Sequence, residues 1–288
     1  MDTICNMKIS VASSLNNNRP ADERVAELAN LWQQTSQNAT FKGSGKDFWD
    51  YWAQSMPVKR GSSRYVENVV RRMELLETDS VLDVGAGMGA MTLPVSEKVE
   101  TVTALDQSPH MLEKVLEKAA LKGINNVIAL NINWMDAQIN KDVPIHDVVL
   151  VSRSLPSQGD IVSSLRKIDM AARRTCYITW KANSRNEMEE LICQKLGIEY
   201  QPSPDYLLLY NLLNTMGIYA SVDIFEINGQ SLYYNIDDAF IQILKSYQFS
   251  NDEDKQTVRD LLAEKLEYSE GFYRLDKNIS WALIHWDK

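Results

Sequence analysis

Cysteine and histidine are scarce, with 3 of each in 288 residues. Cys5, Cys176 and Cys193 are odd in number, far apart and without Cys-x-x-Cys spacing, so neither a disulfide framework nor a thiolate metal site is indicated. Cys176 lies in an apolar, strand-like run and reads as a small core residue. His110, His146 and His285 form no cluster with acids suited to a divalent cation, so no metal is expected. No uninterrupted apolar run approaches the ~18 residues of a membrane span. The N-terminus shows no basic-then-apolar pattern, which argues against secretion and for a cytoplasmic protein.

Positive charge is also in short supply. The net charge is −9, and from Glu187 onward 18 acids face 8 bases, so the last third supplies the whole deficit. Such a surface repels phosphates and argues against a nucleic-acid substrate. One basic stretch stands out: Lys59-Arg60, Arg64 and Arg71-Arg72. It reads as the solvated face of a helix, with a local anion or tRNA contact as the sharper alternative.

The content that remains is ordinary for a globular protein, with 44% hydrophobic and 24% charged residues. A chain this long can bury a large core and carry an appended element. Its most informative segment runs from Thr78 to Asp106. A buried strand (Val81 to Val84) leads into a glycine turn (Gly85, Gly87, Gly89), a helix, a second strand and a lone carboxylate, Asp106. That is half of a nucleotide-binding α/β unit, with its acid about 20 positions downstream.

Charge separates two cofactors that could use this geometry. Gly85, Gly87 and Ala90 satisfy a loose dinucleotide pattern, which would set a pyrophosphate over the turn. Asp83, two residues before the first glycine, would repel that pyrophosphate and attract the ammonium of a methionine moiety. S-adenosylmethionine carries that ammonium, a sulfonium and no phosphate, so it is favoured over NAD. Asp106 suits either, because both carry ribose hydroxyls.

Asp83-Val-Gly85-Ala86-Gly87-Met-Gly89, then Leu105-Asp106-Gln107-Ser108 and Met111-Leu112, resembles the class I S-adenosylmethionine-dependent methyltransferases. The resemblance continues through Asn126 to Trp134 and Asp147 to Ser152, and covers residues 60–182 best. It implies that the turn around Gly85, Ala86 and Gly87 holds the methionine end and that Asp106 holds the ribose. By the same resemblance Met111 packs on the adenine face and Asn133 stands where the family often has an Asp bonding the adenine amino group. Trp134 occupies a place where a small residue is common, and Gln107 and Ser152 join the cofactor-binding set.

The spacing predicts an α/β fold with a doubly wound, Rossmann-like, mostly parallel sheet, an N-terminal helical lid and late helical insertions, and the resemblance implies the seven-stranded class I methyltransferase type. Residues 1–60 read as a flexible tail and lid, and 61–288 as the methyltransferase domain with additions around 186–270. Pro20 opens a helix with Val25, Leu28, Ala29 and Trp32 on one face, and Tyr65, Val69 and Met73 share the face of another. Strands are expected near 80–84, 100–105, 127–131, 146–152, 174–180 and 219–227, with Ile279 to Trp286 as a final edge strand. Between the first five fall helices near 89–98, 109–122 and 159–172.

The acceptor is harder to read. The fourth strand ends Ser152-Arg153-Ser154-Leu155-Pro156 rather than in an Asn-Pro-Pro-Tyr motif, which counts against methylation of a planar amino group. Arg153 is placed to pair with an anionic substrate group, or else with an acidic neighbour. Phe48, Trp49, Tyr51 and Trp52 crowd four aromatics into five residues, an aromatic wall for the transfer site in which Trp49 and Trp52 are the named candidates. Tyr206 and Tyr210 could complete the enclosure. No residue is assigned as catalytic; His110, at a helix start, reads as a polar cap rather than a base. The expected function is methyl transfer to a small-molecule acceptor, by a monomer or homodimer. RNA or protein methylation and a non-catalytic S-adenosylmethionine-binding module are the alternatives, and an NAD oxidoreductase ranks behind them.

Overall fold

A computed structural model describes residues 19–41, 64–155, 159–183, 185–244 and 246–288. Its helices are α1 (Ala21–Asn38), α2 (Arg64–Arg72), α3 (Thr92–Ser96), α4 (Pro109–Leu121), α5 (Ile161–Ala171), α6 (Glu187–Leu196), α7 (Tyr206–Thr215), α8 (Ile236–Leu244) and α9 (Asp252–Lys265). The strands are β1 (Ser80–Val84), β2 (Thr101–Asp106), β3 (Val127–Asn131), β4 (His146–Ser152), β5 (Ala172–Lys181), β6 (Ser221–Tyr233), β7 (Glu267–Ser269) and β8 (Phe272–Asp287).

Seven strands lie in the order β3-β2-β1-β4-β5-β8-β6, and the short β7 pairs with β8. β1 to β5 are parallel, whereas β8 runs antiparallel to both β5 and β6. The final strand is therefore interior, not the edge its apolar alternation suggested; β6 takes the edge. β8 is also twice as long as expected, because Tyr273 to Asn278 continues the pairing with β6 as far as Tyr233 and Phe272 pairs with β7.

Alternate residues of the central strands feed two different cores, as a sheet covered on both faces requires. Leu82, Val84, Val149, Val151, Cys176, Ile178 and Ile284 pack under α1, α5 and α7. Val81, Val148, Leu150, Tyr177 and Leu283 pack against α2 and the α3 region. Leu28 and Trp32 of α1 have no exposed surface, so this helix is part of the main core. The late helices α6, α8 and α9 build a smaller core of their own with Phe41, Ile192, Phe240 and Leu261.

Strand order reverses between β1 and its two neighbours, β2 on one side and β4 on the other. Helices on opposite faces diverge there, and a crevice opens beyond the carboxyl ends of the strands. The glycine turn, Asp106 and the end of β4 all fall at that point. Among the described residues, no helix is long and apolar enough to cross a membrane, and no cluster of His, Cys, Asp and Glu could hold a metal ion.

Candidate functional site

The crevice at the switch point has a volume of about 560 Å³, within the range of small-ligand sites. Asp83, Gly85, Ala86, Gly87, Asp106, Gln107, Met111, Asn133, Trp134 and Ser152 all line it, and Arg153 does so too. Tyr206 and Tyr210 do not: they sit on α7, where Tyr206 packs against the main core. Trp49 and Trp52 lie outside the described residues.

The turn after β1 is built backbone-first. Gly85 and Ala86 donate to the Leu105 carbonyl at 2.7 and 2.9 Å, closing the turn onto β2. Gly85 and Gly87 have φ of 72° and 54°, the left-handed region where glycine carries no steric cost. Their surroundings differ. A Cβ on Gly85 would overlap the side chain of Ser154, while one on Gly87 would meet nothing within 4 Å. Gly85 thus serves packing, and Gly87 leaves open the floor on which a ligand can rest.

Two carboxylates flank that floor. Asp106 accepts from the Gly87 N–H through Oδ2 at 2.8 Å and from the Ser108 N–H through Oδ1 at 2.9 Å. A carboxylate offers about four acceptor positions, so these two bonds are compatible with a ribose diol. Ser108 also caps α4, accepting from the Met111 N–H at 3.2 Å, which sets Met111 on the crevice wall. Asp83 is 2% exposed and accepts from the Thr92 hydroxyl at 2.6 Å. Burial raises its carboxyl to about 6 against the pull of Thr92, with the Asp106 charge adding to the rise. A buried acid in this state favours a cationic partner.

Across the crevice, Asn133 lies on the surface and its side-chain oxygen accepts from the Met135 N–H at 3.0 Å. Trp134 is both wall and core: its indole N–H donates to Ser164 of α5 at 2.9 Å, and the Lys167 ammonium lies 5.9 Å from its ring centre. The three histidines are elsewhere. His110 faces Glu113 at 3.2 Å, and His285 stacks on Tyr177. His146 bridges the Pro144 carbonyl and the Thr103 hydroxyl, and burial lowers its pKa. The basic stretch is likewise structural where it is described. Arg64 donates to the Asn228 carbonyl, Arg71 and Arg72 to Asn68, and Arg72 covers Phe225.

One contributor was not singled out in the sequence. Tyr65 of α2 reaches the end of β4, its hydroxyl 2.8 Å from Ser152 Oγ and 2.6 Å from Thr179 Oγ1. Its apolar stripe with Val69 and Met73 reads as core, and all three are buried. The phenol, alone with a polar tip in an otherwise aliphatic stripe, was the available signal.

Residues 81–170 match the family model described as a methyltransferase domain. Those residues form a methyltransferase domain, and the sheet that holds them has the class I methyltransferase fold. An uncharacterized protein of Haemophilus influenzae is 27% identical over 229 residues, 78% of this chain and 82% of that protein. The YcgJ protein of Bacillus subtilis superposes with a TM-score of 0.54 at 14% identity, over 77% of this chain and 97% of its own. Coclaurine N-methyltransferase, bound to N-methylheliamine and S-adenosylhomocysteine, covers 98% of this chain and 93% of its own at TM-score 0.50 and 14% identity. Those two structural likenesses concern the fold. The crevice itself would suit S-adenosylmethionine: it offers a buried carboxylate for an ammonium, a second carboxylate for a diol, and an unobstructed glycine between them.

Proposed function

We propose that this methyltransferase acts on a small-molecule acceptor by in-line displacement. The observation that carries the reading is the crevice itself, a concave site of about 560 Å³ on a chain of net charge −9. It offers room for a cofactor and a compact acceptor, and the net negative charge of the chain disfavours a polyanion.

When bound, S-adenosylmethionine supplies a sulfonium methyl; transfer forms one bond to an acceptor lone pair, breaks the sulfur–carbon bond and leaves S-adenosylhomocysteine. The residues of the chain position and shield. Asp83, as a carboxylate, pairs with the ammonium, and Asp106 accepts from the ribose hydroxyls. Met111, Asn133 and Trp134 border the adenine, and the end of β4 faces the reacting centre. No histidine lines the crevice among the described residues, so rate comes from orientation and exclusion of water rather than from a general base of that type.

The test is methyl transfer from labelled S-adenosylmethionine into a cell lysate separated into small-molecule, RNA and protein fractions. The label is expected in the small-molecule fraction. Label in RNA or protein overturns this reading, and cofactor binding without transfer into any fraction favours a non-catalytic binding module.

A further inference from the structure

Arg153 follows β4 directly and holds φ at 58°, a left-handed conformation uncommon for a residue with a side chain. Its neighbours fix it there. Ser152 Oγ meets the Tyr65 hydroxyl at 2.8 Å, the Arg153 N–H donates to Thr179 Oγ1 at 3.1 Å, and the Ser154 hydroxyl donates to the Val84 carbonyl. A strained residue held by three separate bonds points to a use for its side chain.

That side chain lies along the Tyr65 ring, with the guanidinium carbon 4.4 Å from the ring centre. A ring face seats the cation and leaves the edge of its planar fork free. Among the described residues, no carboxylate pairs with it, whereas Arg173 and Arg174 on the far end of the sheet hold Asp147 and Asp79. Arg153 is also the one cationic side chain among the described residues lining the crevice.

Resting on the small-molecule reading above, we propose that Arg153 receives a carboxylate in this crevice. A carboxylate matches the fork in a bidentate pair. A phosphate dianion would bring a second negative charge beside Asp83 and Asp106, so it is the poorer guest. Two carboxylates can reach this position: that of the acceptor, and that of the cofactor's methionine end, since Ser154 packs against Gly85 of the cofactor turn.

The two sources are separated with Arg153→Gln and Arg153→Gly, the latter relaxing the left-handed backbone, with the melting temperature of each variant showing that it is folded. Calorimetry with S-adenosylhomocysteine and with 5′-methylthioadenosine, which lacks the amino-acid moiety, forms one arm. If the cofactor supplies the carboxylate, both variants lose about tenfold or more in affinity for the former and none for the latter. The second arm is labelled methyl transfer into the small-molecule fraction, with products resolved on an anion exchanger at neutral pH. If the acceptor supplies the carboxylate, cofactor affinity stays at the wild-type level and the labelled product is retained on the exchanger. Its formation at low substrate then falls about tenfold in the variants, with Arg153→Lys intermediate. Wild-type affinity together with an unretained product, or with an undiminished rate, overturns the proposal. If label enters RNA or protein instead, the small-molecule reading fails and calorimetry alone decides: a selective loss of S-adenosylhomocysteine affinity upholds the role of Arg153, and its absence overturns it.

Discussion

Thr92 donates its hydroxyl to Asp83 across 2.6 Å at the floor of the crevice, where the carboxylate is 2% exposed. Burial still dominates and raises the carboxyl from 3.8 to about 6. A folded-state value above the unfolded one means that the native protein holds this proton more tightly. The associated stability is present in full below about pH 4 and is lost as pH rises through 6, an amount on the order of 3 kcal/mol. Asp83→Asn should therefore make the ligand-free protein more stable than wild type well above pH 6, and the gap should close in acid. Denaturant midpoints on both sides of the transition measure this. Equal stability at all pH values would show that Asp83 is not held at a cost for the ligand. Wild-type affinity for S-adenosylhomocysteine should also fall as pH drops through 6, because a protonated Asp83 no longer pairs with the ammonium.

Asp106 should act on a different part of the ligand. Asp106→Ala removes the acceptor of the Gly87 and Ser108 N–H groups and, in the proposed reading, that of the ribose hydroxyls. Affinity for S-adenosylhomocysteine should fall by roughly 1.5–3 kcal/mol. 5′-Methylthioadenosine keeps the ribose and lacks the ammonium, so it should lose comparable affinity in Asp106→Ala and almost none in Asp83→Asn. The reverse pattern in calorimetry would exchange the two assignments.

The contrast between these two acids shows what a sequence can carry. β1, the turn and Asp106 are contiguous and have a fixed spacing, so their juxtaposition was legible before any tertiary contact was known. The ten expected cofactor residues line one crevice, those from Asp83 to Asp106 through this spacing and Gln107, Met111, Asn133, Trp134 and Ser152 through the family resemblance. Tyr65 and Thr92 were not legible as site residues, because their hydroxyls reach Ser152 and Asp83 only through packing of α2 and α3. The helix expected from residue 89 shrank to Thr92–Ser96, since Gly89 sits at φ 78° and delays its start. β8 looked like an edge strand because its alternation says nothing about which strand lies outside it. Tyr206 and Tyr210 were grouped with the site on aromatic character alone, and α7 turns them elsewhere.

The glycines of the turn should separate fold from binding. Gly85→Ala drives a methyl into the Ser154 side chain and strains a backbone at φ 72°, so a clear drop in melting temperature is expected. Gly87→Ala has open space and only the backbone term of about 1–3 kcal/mol. It should melt closer to wild type yet lose more affinity for S-adenosylhomocysteine than its loss of stability accounts for, because its methyl occupies the ligand's path. Thermal denaturation and calorimetry on the two variants test this together. Undiminished binding by Gly87→Ala would mean that the ligand does not cross the turn there.

Trp134 offers a test of how the adenine wall is held. Its indole N–H is satisfied by Ser164 within the core, while its ring lines the crevice. Ser164→Ala leaves a buried donor without its partner and should cost about 1–3 kcal/mol of stability. If packing against α5 alone sets the ring, the affinity for S-adenosylhomocysteine should hardly change. In a variant keeping Trp134 as its single tryptophan, adenosine should quench or shift the emission if the ring borders the adenine as proposed. An emission unaffected by saturating adenosine would restrict Trp134 to covering α5. A quench together with a large loss of affinity in Ser164→Ala would show instead that the hydrogen bond orients the ring for the ligand, making Ser164 a positioning residue of the site.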